Sequence, residues 1–598
     1  MSRVALFVGA VLSKVPEGMK DVLRASARTR ALYLRCMGVL GVFPGVPTQA
    51  ETAGLYARQL QRRSEMFARL GDKQASAKIA VVIIDRPEDQ DFTRSTLASI
   101  GEQSRQPDAV VVWRQGDQEQ KVTPEISETN AFSLVCGDAK ALAATLSNVV
   151  GDDCGGFFIN AGDQLKSDSV EMLARLAKDD LSCIFYVDTD STGEAGELTP
   201  KYYPAWNPDL QLSTAYVRTG LWLPATELQS HLLDVTEGPE AIALLLIRTY
   251  LQDRYKVIRH LPLVLVAQPE TVSFGLDRFN EGVDRALVSA GKAELAEQGN
   301  RLIVHWNVSP EPLVSIVIPT RNAKDLVQTC IDSIVTKTTY PNYEIILVSN
   351  NTDDPACAEY FSALAERGTL KLLHYNKPFN YSAINNFAVS HVKGSVLAFL
   401  NNDIEVISPD WLTFMVGHAL RSDIGGVGAK LLYPDNRVQH AGVVMGYGGG
   451  AGHAHKYYPR DHQGYLQRLA ATNNYSAVTA ACMLIERNKF EAIGGFNEQN
   501  LAVAFNDVDL CLRLTQAGLR NVYCAEAVLY HHESISRGAE DTAEKQRRFQ
   551  GEVDFLKTQW QCIIQADPAY HPALTLMNEG FGLGEPEAIN FNSLVRLR

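Results

Sequence analysis

Short apolar runs that end abruptly in polar residues recur along this chain, and they predict buried strands of an α/β sheet. The clearest is Val396-Leu-Ala-Phe-Leu400, followed at once by Asn401, Asn402, Asp403, Ile404 and Glu405. A run that short reads as a strand buried on both faces, with its polar tail at the carboxyl edge of a parallel sheet. Ligands of open α/β sheets bind just outside that edge. Asn and Asp are also ordinary turn residues, so this stretch alone describes a polar turn as well, and the rest of the chain decides between the two. Ile79-Ala-Val-Val-Ile-Ile84, Ala109-Val-Val-Val-Trp113 and Gly156-Phe-Phe-Ile159 have the same character, with a helical stretch around residues 92–100. Asn160-Ala-Gly-Asp163 follows the third run. Strands alternating with helices indicate βαβ units.

The layout returns after residue 312. Val314-Ser-Ile-Val-Ile318 is a strand, and Leu326, Val327, Cys330, Ile331, Ile334 and Val335 then share one helical face. Glu344-Ile-Ile-Leu-Val348 is the next strand. Ile84 to Trp113 spans 29 residues and Ile318 to Val348 spans 30; Ile84 to Asp163 spans 79 and Ile318 to Asp403 spans 85. This predicts an internal duplication of one α/β domain, joined near Asn307-Val-Ser-Pro-Glu-Pro312. The expected division is a basic helical segment at 1–75, a first α/β domain at 78–305, a second at 312–540 and a helical or extended tail at 541–598. The halves differ in chemistry. Where the second has Asp507, Asp509, His531 and Glu405, the first has Ala241, Ala243, Ala267 and Leu165. A domain without those acids reads as a scaffold or binding module.

With 598 residues, several cores are needed. The net charge of -13 argues against nucleic acid as a partner. Residues 1–70 nevertheless hold eleven Lys/Arg against four Asp/Glu. Arg24, Arg28 and Arg35, then Arg58, Arg62 and Arg69, recur at helical spacing beside Leu32, Leu34, Met37, Val39, Leu40 and Val42. Such a helix either lies on an anionic membrane surface or packs a solvated face against the next domain. Val4 to Leu12 is too short to span a bilayer, and no run reaches eighteen apolar residues. Ten cysteines without a Cys-x-x-Cys pair fit reduced thiols. The expected location is the cytoplasm, with peripheral contact at the inner face of the membrane as an addition.

Six motifs in the second half carry a resemblance. They are Ile318-Pro-Thr-Arg-Asn322, Val348-Ser-Asn-Asn-Thr352, Phe379-Asn-Tyr-Ser-Ala-Ile-Asn-Asn386, Leu400-Asn-Asn-Asp-Ile-Glu405, Phe505-Asn-Asp-Val-Asp-Leu-Cys-Leu-Arg513 and His531-His-Glu-Ser-Ile-Ser-Arg537. In that order they resemble a family 2 glycosyltransferase with a GT-A fold. The likeness extends to tandem-domain bacterial O-antigen and rhamnosyl transferases, in which a degenerate domain precedes the active one. It reaches weakly over residues 78–300, including Tyr203-Pro-Ala-Trp-Asn-Pro-Asp209. The implied fold is α/β: two tandem GT-A domains, Rossmann-like with mostly parallel sheets.

The resemblance implies transfer of a sugar, rhamnose or another hexose, from a nucleoside diphosphate (dTDP- or UDP-linked) to a glycan or lipid-linked acceptor, with inversion, in surface polysaccharide synthesis. The leaving diphosphate needs its charge neutralised, and Asp403 with His531 would hold Mg²⁺ or Mn²⁺ for this. Glu405, two residues on, is expected on the same side as Asp403 and able to assist; His532 is the alternative ligand. Asp507 matches the family's catalytic base, though a carboxylate there could equally serve the helix N-terminus. Asn506 stands where many relatives have Glu. Asp509 is expected to face away from Asp507, orienting the site or binding Arg513. Pro319, Thr320, Arg321, Asn322, Asn386 and Asn402 are carried over as donor contacts. Ser349 falls where many relatives have an acid for the base; its hydroxyl can still bond a pyrimidine.

Gly446-Tyr-Gly-Gly-Gly-Ala-Gly452 lacks the ending of a P-loop and is expected to be a mobile loop over the site, with His453 and His455 beyond it. The stretch from Asn473 to Cys482 is expected on the acceptor side. Two other readings stay open: a sugar nucleotidyltransferase, which would want a Gly-rich basic loop after the first strand, and a non-catalytic glycan-assembly scaffold.

Overall fold

Residues rich in Val, Ile and Phe with period-two or continuous burial form strands here, as their branched side chains favour. The computed structural model describes residues 49–68, 78–85, 90–114, 131–150, 155–175, 182–193, 197–224, 227, 235–254, 258–269, 274–288, 291–532, 542–590 and 594. The run at residues 4–12, Arg24, Arg28, Arg35, Arg69, the apolar positions between 32 and 42, and residues 533–537 of the last motif lie outside them.

The first half contains β1 (Ile79–Asp85), β2 (Ala109–Arg114), β3 (Ala131–Cys136), β4 (Gly155–Asn160), β5 (Gln164–Leu165), β6 (Ile184–Thr192), β7 (Leu198–Lys201), β8 (Leu221–Pro224) and β9 (Ile258–Pro269). They form one sheet in the order β3-β2-β1-β4-β8-β6-β9-β5, with β7 on β6. A hairpin of β10 (Ala293–Gln298) and β11 (Arg301–Trp306) follows.

The second half contains β12 (Val314–Thr320), β13 (Tyr343–Ser349), β14 (Lys371–His374), β15 (Val396–Leu400), β16 (Ile404–Val406), β17 (Ile424–Leu432), β18 (Val438–His440), β19 (Val443–Met445), β20 (Ala451–His453), β21 (Asn473–Tyr475), β22 (Cys482–Glu486) and β23 (Arg520–His531). Its sheet runs β14-β13-β12-β15-β22-β17-β23-β16, with β18 on β17 and β21 on β23.

The two sheets repeat each other strand for strand, including the sense of each pairing on this path. β1, β2, β3 and β4 pair in parallel, as do β6 and β9, while β8 runs against β4 and β6, and β5 against β9. The second sheet matches: β12 to β15 parallel, β17 with β23 parallel, β22 and β16 reversed. The sheets are therefore mixed, where mostly parallel ones were expected. The short apolar segments β8 and β22 carry no mark of direction, because direction is set by the connections and not by the hydrophobic pattern. Register agrees with the expected differences: Gln164 pairs Ala267 and Leu165 pairs Val266, as Ile404 pairs His531 and Glu405 pairs Tyr530. Ala267 and Leu165 thus hold the places of His531 and Glu405, and Asp163 precedes β5 as Asp403 precedes β16.

Polar contacts knit the halves together. Asn207 caps the helix Pro208–Thr214, its side chain accepting from the Leu210 N–H, and also exchanges hydrogen bonds with the main chain of Asn474. Asp209 is fully buried against Arg421 (2.5 Å) and Asn474 (2.8 Å). Of the basic N-terminal segment, the helix Gln49–Ala68 is described. Tyr56, Gln59 and Arg63 are buried; Gln59 bonds the carbonyls of Ala573 and Gly584, and Arg63 bonds Asp168 and the Val264 carbonyl. Arg58 reaches Glu585 at the surface. For these residues the packed helix of the two expectations is the observed one. Among the described residues no helix is long and apolar enough to cross a membrane.

Candidate active site

β15 is buried along its whole length, and its polar tail emerges at the carboxyl edge of the second sheet. Asp403, 4% exposed, stands in the turn before β16. Pairing of Ile404 with His531 brings the end of β23 beside it. Asp403 Oδ1 and His531 Nε2 are 3.2 Å apart. The other ring nitrogen, Nδ1, lies 2.6 Å from Gln439 Oε1, an acceptor, so Nδ1 carries the proton. Asn401 Nδ2 donates toward Nε2 at 3.2 Å. The imidazole thus turns a lone pair toward a carboxylate oxygen, an arrangement that a proton or a metal ion completes. Metal-bound histidines are oriented by an acceptor for the distal N–H, commonly a carboxylate, a main-chain carbonyl or water, and the Gln439 amide oxygen takes that part here. One carboxylate and one imidazole fit a divalent ion that leaves positions for diphosphate oxygens and water.

Asp507 is the second residue of the helix Asn506–Gln516, entered through Phe505 at φ 58°. Its Oδ2 accepts the Ala480 N–H (3.0 Å) and its Oδ1 the Val508 N–H (2.9 Å). A carboxylate oxygen has two acceptor sites, so each retains one. Asp507 and His531 line one cavity of about 190 Å³ with Asn401, Gln439, His453 and Thr479. Burial holds His453 well below the ordinary histidine range and His440 at about 4, so both are neutral donors or acceptors near neutral pH. His440 accepts the Thr479 N–H.

A second cavity of about 360 Å³ adjoins the first, sharing Tyr381, Asn401 and Val503. Pro319, Thr320, Arg321 and Asn402 line it, as the motif reading expects of donor contacts. Asn402 Nδ2 donates to Thr320 Oγ1 at 2.9 Å. Asn322 sits beside it at φ 53°, clasping the Asp353 carboxylate at 2.7 Å. That bond and Arg321 hold the Asp353 carboxyl below its usual range.

Other expected residues are placed elsewhere. Ser349 is buried and donates to Thr352, and the next residue, Asn350, lines the cavity in its stead. Asn350 Oδ1 is buried without a hydrogen-bond partner among the described residues. Asn386 lies on the far face of the helix Tyr381–Val389, tied to Phe496 and Glu498, and lines a separate cavity of about 730 Å³. It is no donor contact in this arrangement. Glu405 does not assist Asp403: it bonds Lys337 and His532, both at 3.2 Å. Burial pushes its carboxyl up, and those two partners outweigh it and hold it low. Strand alternation does not relate Glu405 to Asp403, because Asp403 is in a turn. His532 is accordingly Glu405's partner and lies apart from the lining of the cavity that holds Asp507, which takes in His531. Asp509 is buried between Arg513 (2.8 Å) and Trp560 (3.0 Å). The glycine-rich stretch closes the hairpin β19–β20 instead of forming a loose loop. His455 leaves the site, accepting the Tyr465 N–H and stacking on Phe581. Of the stretch after Asn473, Thr479, Ala480 and Ala481 line the cavity, while Asn473 and Asn474 bond Arg468, Asn207 and Asp209.

The helix Ala543–Gln565 falls in the tail expected to be helical or extended, but sequence reasoning missed that it contributes to the site. It brings Lys545 and Arg548 into the larger cavity. Its buried Glu552 accepts the Val503 N–H (2.8 Å), which fixes the strand of chain leading to Asp507. Lys545, Arg548 and Glu552 lie on one helical face, but a mixed charge pattern of that kind also describes a solvated surface.

Residues 310–551 match the model of the glycosyltransferase like family 2. An uncharacterized protein of Sinorhizobium fredii is 50% identical over 282 residues, 47% of this chain and 31% of that protein. The O-antigen biosynthesis protein RfbC of Myxococcus xanthus is 34% identical over 447 residues, 71% of this chain and 34% of that protein. The chain thus spans about a third of the length of these two relatives. Among solved structures, a mannosyltransferase from Pyrobaculum calidifontis in complex with GDP-Man and Mn²⁺ aligns with 16% identity and a TM-score of 0.31, over 43% of this chain and 71% of that one.

Proposed function

We propose, from the match of residues 310–551 to the glycosyltransferase like family 2, that this chain transfers a sugar from a nucleoside diphosphate donor to the hydroxyl of a glycan or lipid-linked acceptor. The observation that carries the reading is the Asp403–His531 pair at 3.2 Å, with His531 lining the same cavity as Asp507 and that cavity adjoining one lined by Thr320, Asn402, Lys545 and Arg548. The donor occupies the larger cavity. Its diphosphate lies toward Lys545 and Arg548, where charge-assisted hydrogen bonds are strongest. Asp403 and His531 would hold a divalent ion, Mn²⁺ or Mg²⁺, which would supply charge neutralisation for the leaving diphosphate. Gln439 keeps the imidazole in the tautomer this needs.

The acceptor enters the smaller cavity. Asp507 takes the proton of its hydroxyl at an oxygen lone pair not used by the Ala480 or Val508 N–H. Attack from that side, opposite the diphosphate, inverts the anomeric carbon. Two tandem GT-A-type domains account for the repeated sheet order, with catalysis confined to the second because the first has Ala267 and Leu165 at the matching positions. The relative named for O-antigen biosynthesis supports surface polysaccharide as the product class. A rhamnosyltransferase of Salmonella typhimurium, 24% identical over 221 residues, supports rhamnose as the first sugar to try.

Calorimetric titration of UDP, dTDP and GDP into wild type and Asp403→Ala, each with and without Mn²⁺, tests the reading. Metal-dependent binding of one nucleotide, weakened at least about tenfold in the variant, is the expected result. Binding that ignores both metal and substitution would remove the metal from the mechanism.

A further inference from the structure

The first sheet has a cavity of its own, about 380 Å³, lined by Asn160, Tyr203, Tyr216, Arg218, Phe274 and, from the second half, Gln467. It opens at the end of β4 beside Asp163, the place that Asp403 takes in the second sheet. It lacks the equipment of the second site, since Ala267 replaces the histidine. The ends of β1 and β2 are also shut. Asp85 and Arg114, 1% and 0% exposed, form a buried ion pair there, with Thr93 donating to the same carboxylate. In the second sheet the corresponding strand ends lead into the larger cavity. Among the described residues a nucleotide therefore has no equivalent place in the first half.

What remains is a polar-edged aromatic pocket. Asn160 is 5% exposed; its Nδ2 donates to the Arg218 carbonyl, and its Oδ1 is buried without a partner among the described residues. Gln467 Oε1 is in the same condition. A buried carbonyl oxygen left unsatisfied is destabilising, and a donor from a ligand would recover that loss. The tyrosine hydroxyls are already engaged, Tyr203 with Thr189 (2.9 Å) and Tyr216 with Tyr186 (3.0 Å), so the pocket meets their rings. Arg218 spends its Nε and Nη2 on the carbonyls of Ala215 and Thr214 and lies 4.1 Å over the Phe274 ring. It is thereby poorly placed to clamp an anion, and Lys201, which also lines the cavity, donates to Gln268 Oε1 at 3.3 Å and is offset by the Asp163 carboxyl in the same lining.

We propose that this cavity is a binding site for a neutral carbohydrate, whose hydroxyls donate to Asn160 Oδ1 and Gln467 Oε1 and whose C–H faces rest on the aromatic rings. The site is independent of transfer chemistry in the second half. Saturation-transfer NMR of the full chain with the methyl glycosides of rhamnose, mannose, galactose and glucose, and separately with UDP, tests it. At least one glycoside should receive saturation from wild type and equally from Asp403→Ala. The signal should fall at least about fivefold in Asn160→Leu and in Phe274→Ala, with near-UV circular dichroism unchanged. Gln467→Met, at a half-buried position, serves if Asn160→Leu does not fold. No saturation of any glycoside overturns the proposal, as does a signal lost in Asp403→Ala or unmoved by the cavity substitutions. A UDP signal that is lost in Phe274→Ala would make the pocket a nucleotide site and overturn it equally.

Discussion

Asp507, Asp403, Glu405 and Asp163 are four carboxylates whose partners separate them. Asp507 accepts two main-chain N–H groups and faces a cavity; Glu405 is committed to Lys337 and His532. Asp507→Asn keeps an acceptor for the Ala480 N–H but loses the base. Transfer should fall about 10²- to 10⁴-fold while nucleotide binding stays within about twofold, read by single-turnover rates beside calorimetry. Asp163 is the opposite case. Burial raises its pKa to about 6 against the pull of Thr219, the Asn160 N–H and Lys201. The folded chain keeps a proton there between about pH 4 and 6 that the unfolded chain has released, so this group makes stability fall as pH rises through that window. Between pH 4 and 6.5, urea unfolding of wild type relative to Asp163→Asn should shift by about 2–3 kcal/mol in that direction. A difference that does not change with pH would show Asp163 ionised throughout.

The elements are legible in the sequence to different depths. β1, β2, β12, β13 and β15 are readable because a short continuous apolar run bounded by polar residues suits a buried strand better than a helix, and their spacing anticipates the repeated sheet order. Asp403, His531 and Asp507 are readable because they end or begin such elements. Glu405 is assigned to the wrong side when alternation is carried across a turn. Asn386 is misplaced because a helix has two faces and the motif does not say which one meets the cavity. Lys545 and Arg548 escape because their helix brings them in from about 200 residues away with no signal beyond mixed charge. The hairpin β19–β20 illustrates how tightly that helix is seated. Gly446 has φ +100°, and a Cβ there would come within 2.7 Å of the Ile564 carbonyl oxygen. Gly446→Ala should therefore loosen the hairpin from the helix, at a cost of about 1–3 kcal/mol. Trypsin should cut the helix Ala543–Gln565 sooner, and the KM for donor should rise more than kcat falls.

For the molecule as a whole, the two sheets depend on polar ties that neither could satisfy alone. Burial pushes the Asp209 carboxyl up, but Arg421 and His418 outweigh it and hold it at about 2. Arg421 also meets Tyr250 and stacks on Trp306 at 4.5 Å. Arg421→Ala leaves a buried carboxylate without its counter-charge, and should cost about 3–5 kcal/mol in chemical denaturation. A loss below about 1 kcal/mol would mean that water or Asn474 suffices for Asp209.

The segment that begins at Ala543 closes both ends of the molecule. Lys545 and Arg548 enter the second half's cavity, Trp560 meets Asp509, and His571 meets the buried Asp188 of the first half at 2.8 Å. Chains leave the ribosome from the N-terminus and fold domain by domain as they emerge. Both sheets are therefore made before the segment that fastens them. Until it arrives, the cavity beside Thr320 and Asn402 lacks two of its cations and Asp188 one of its histidines, so on the proposed function a nascent chain folds well before it is competent to take up a donor.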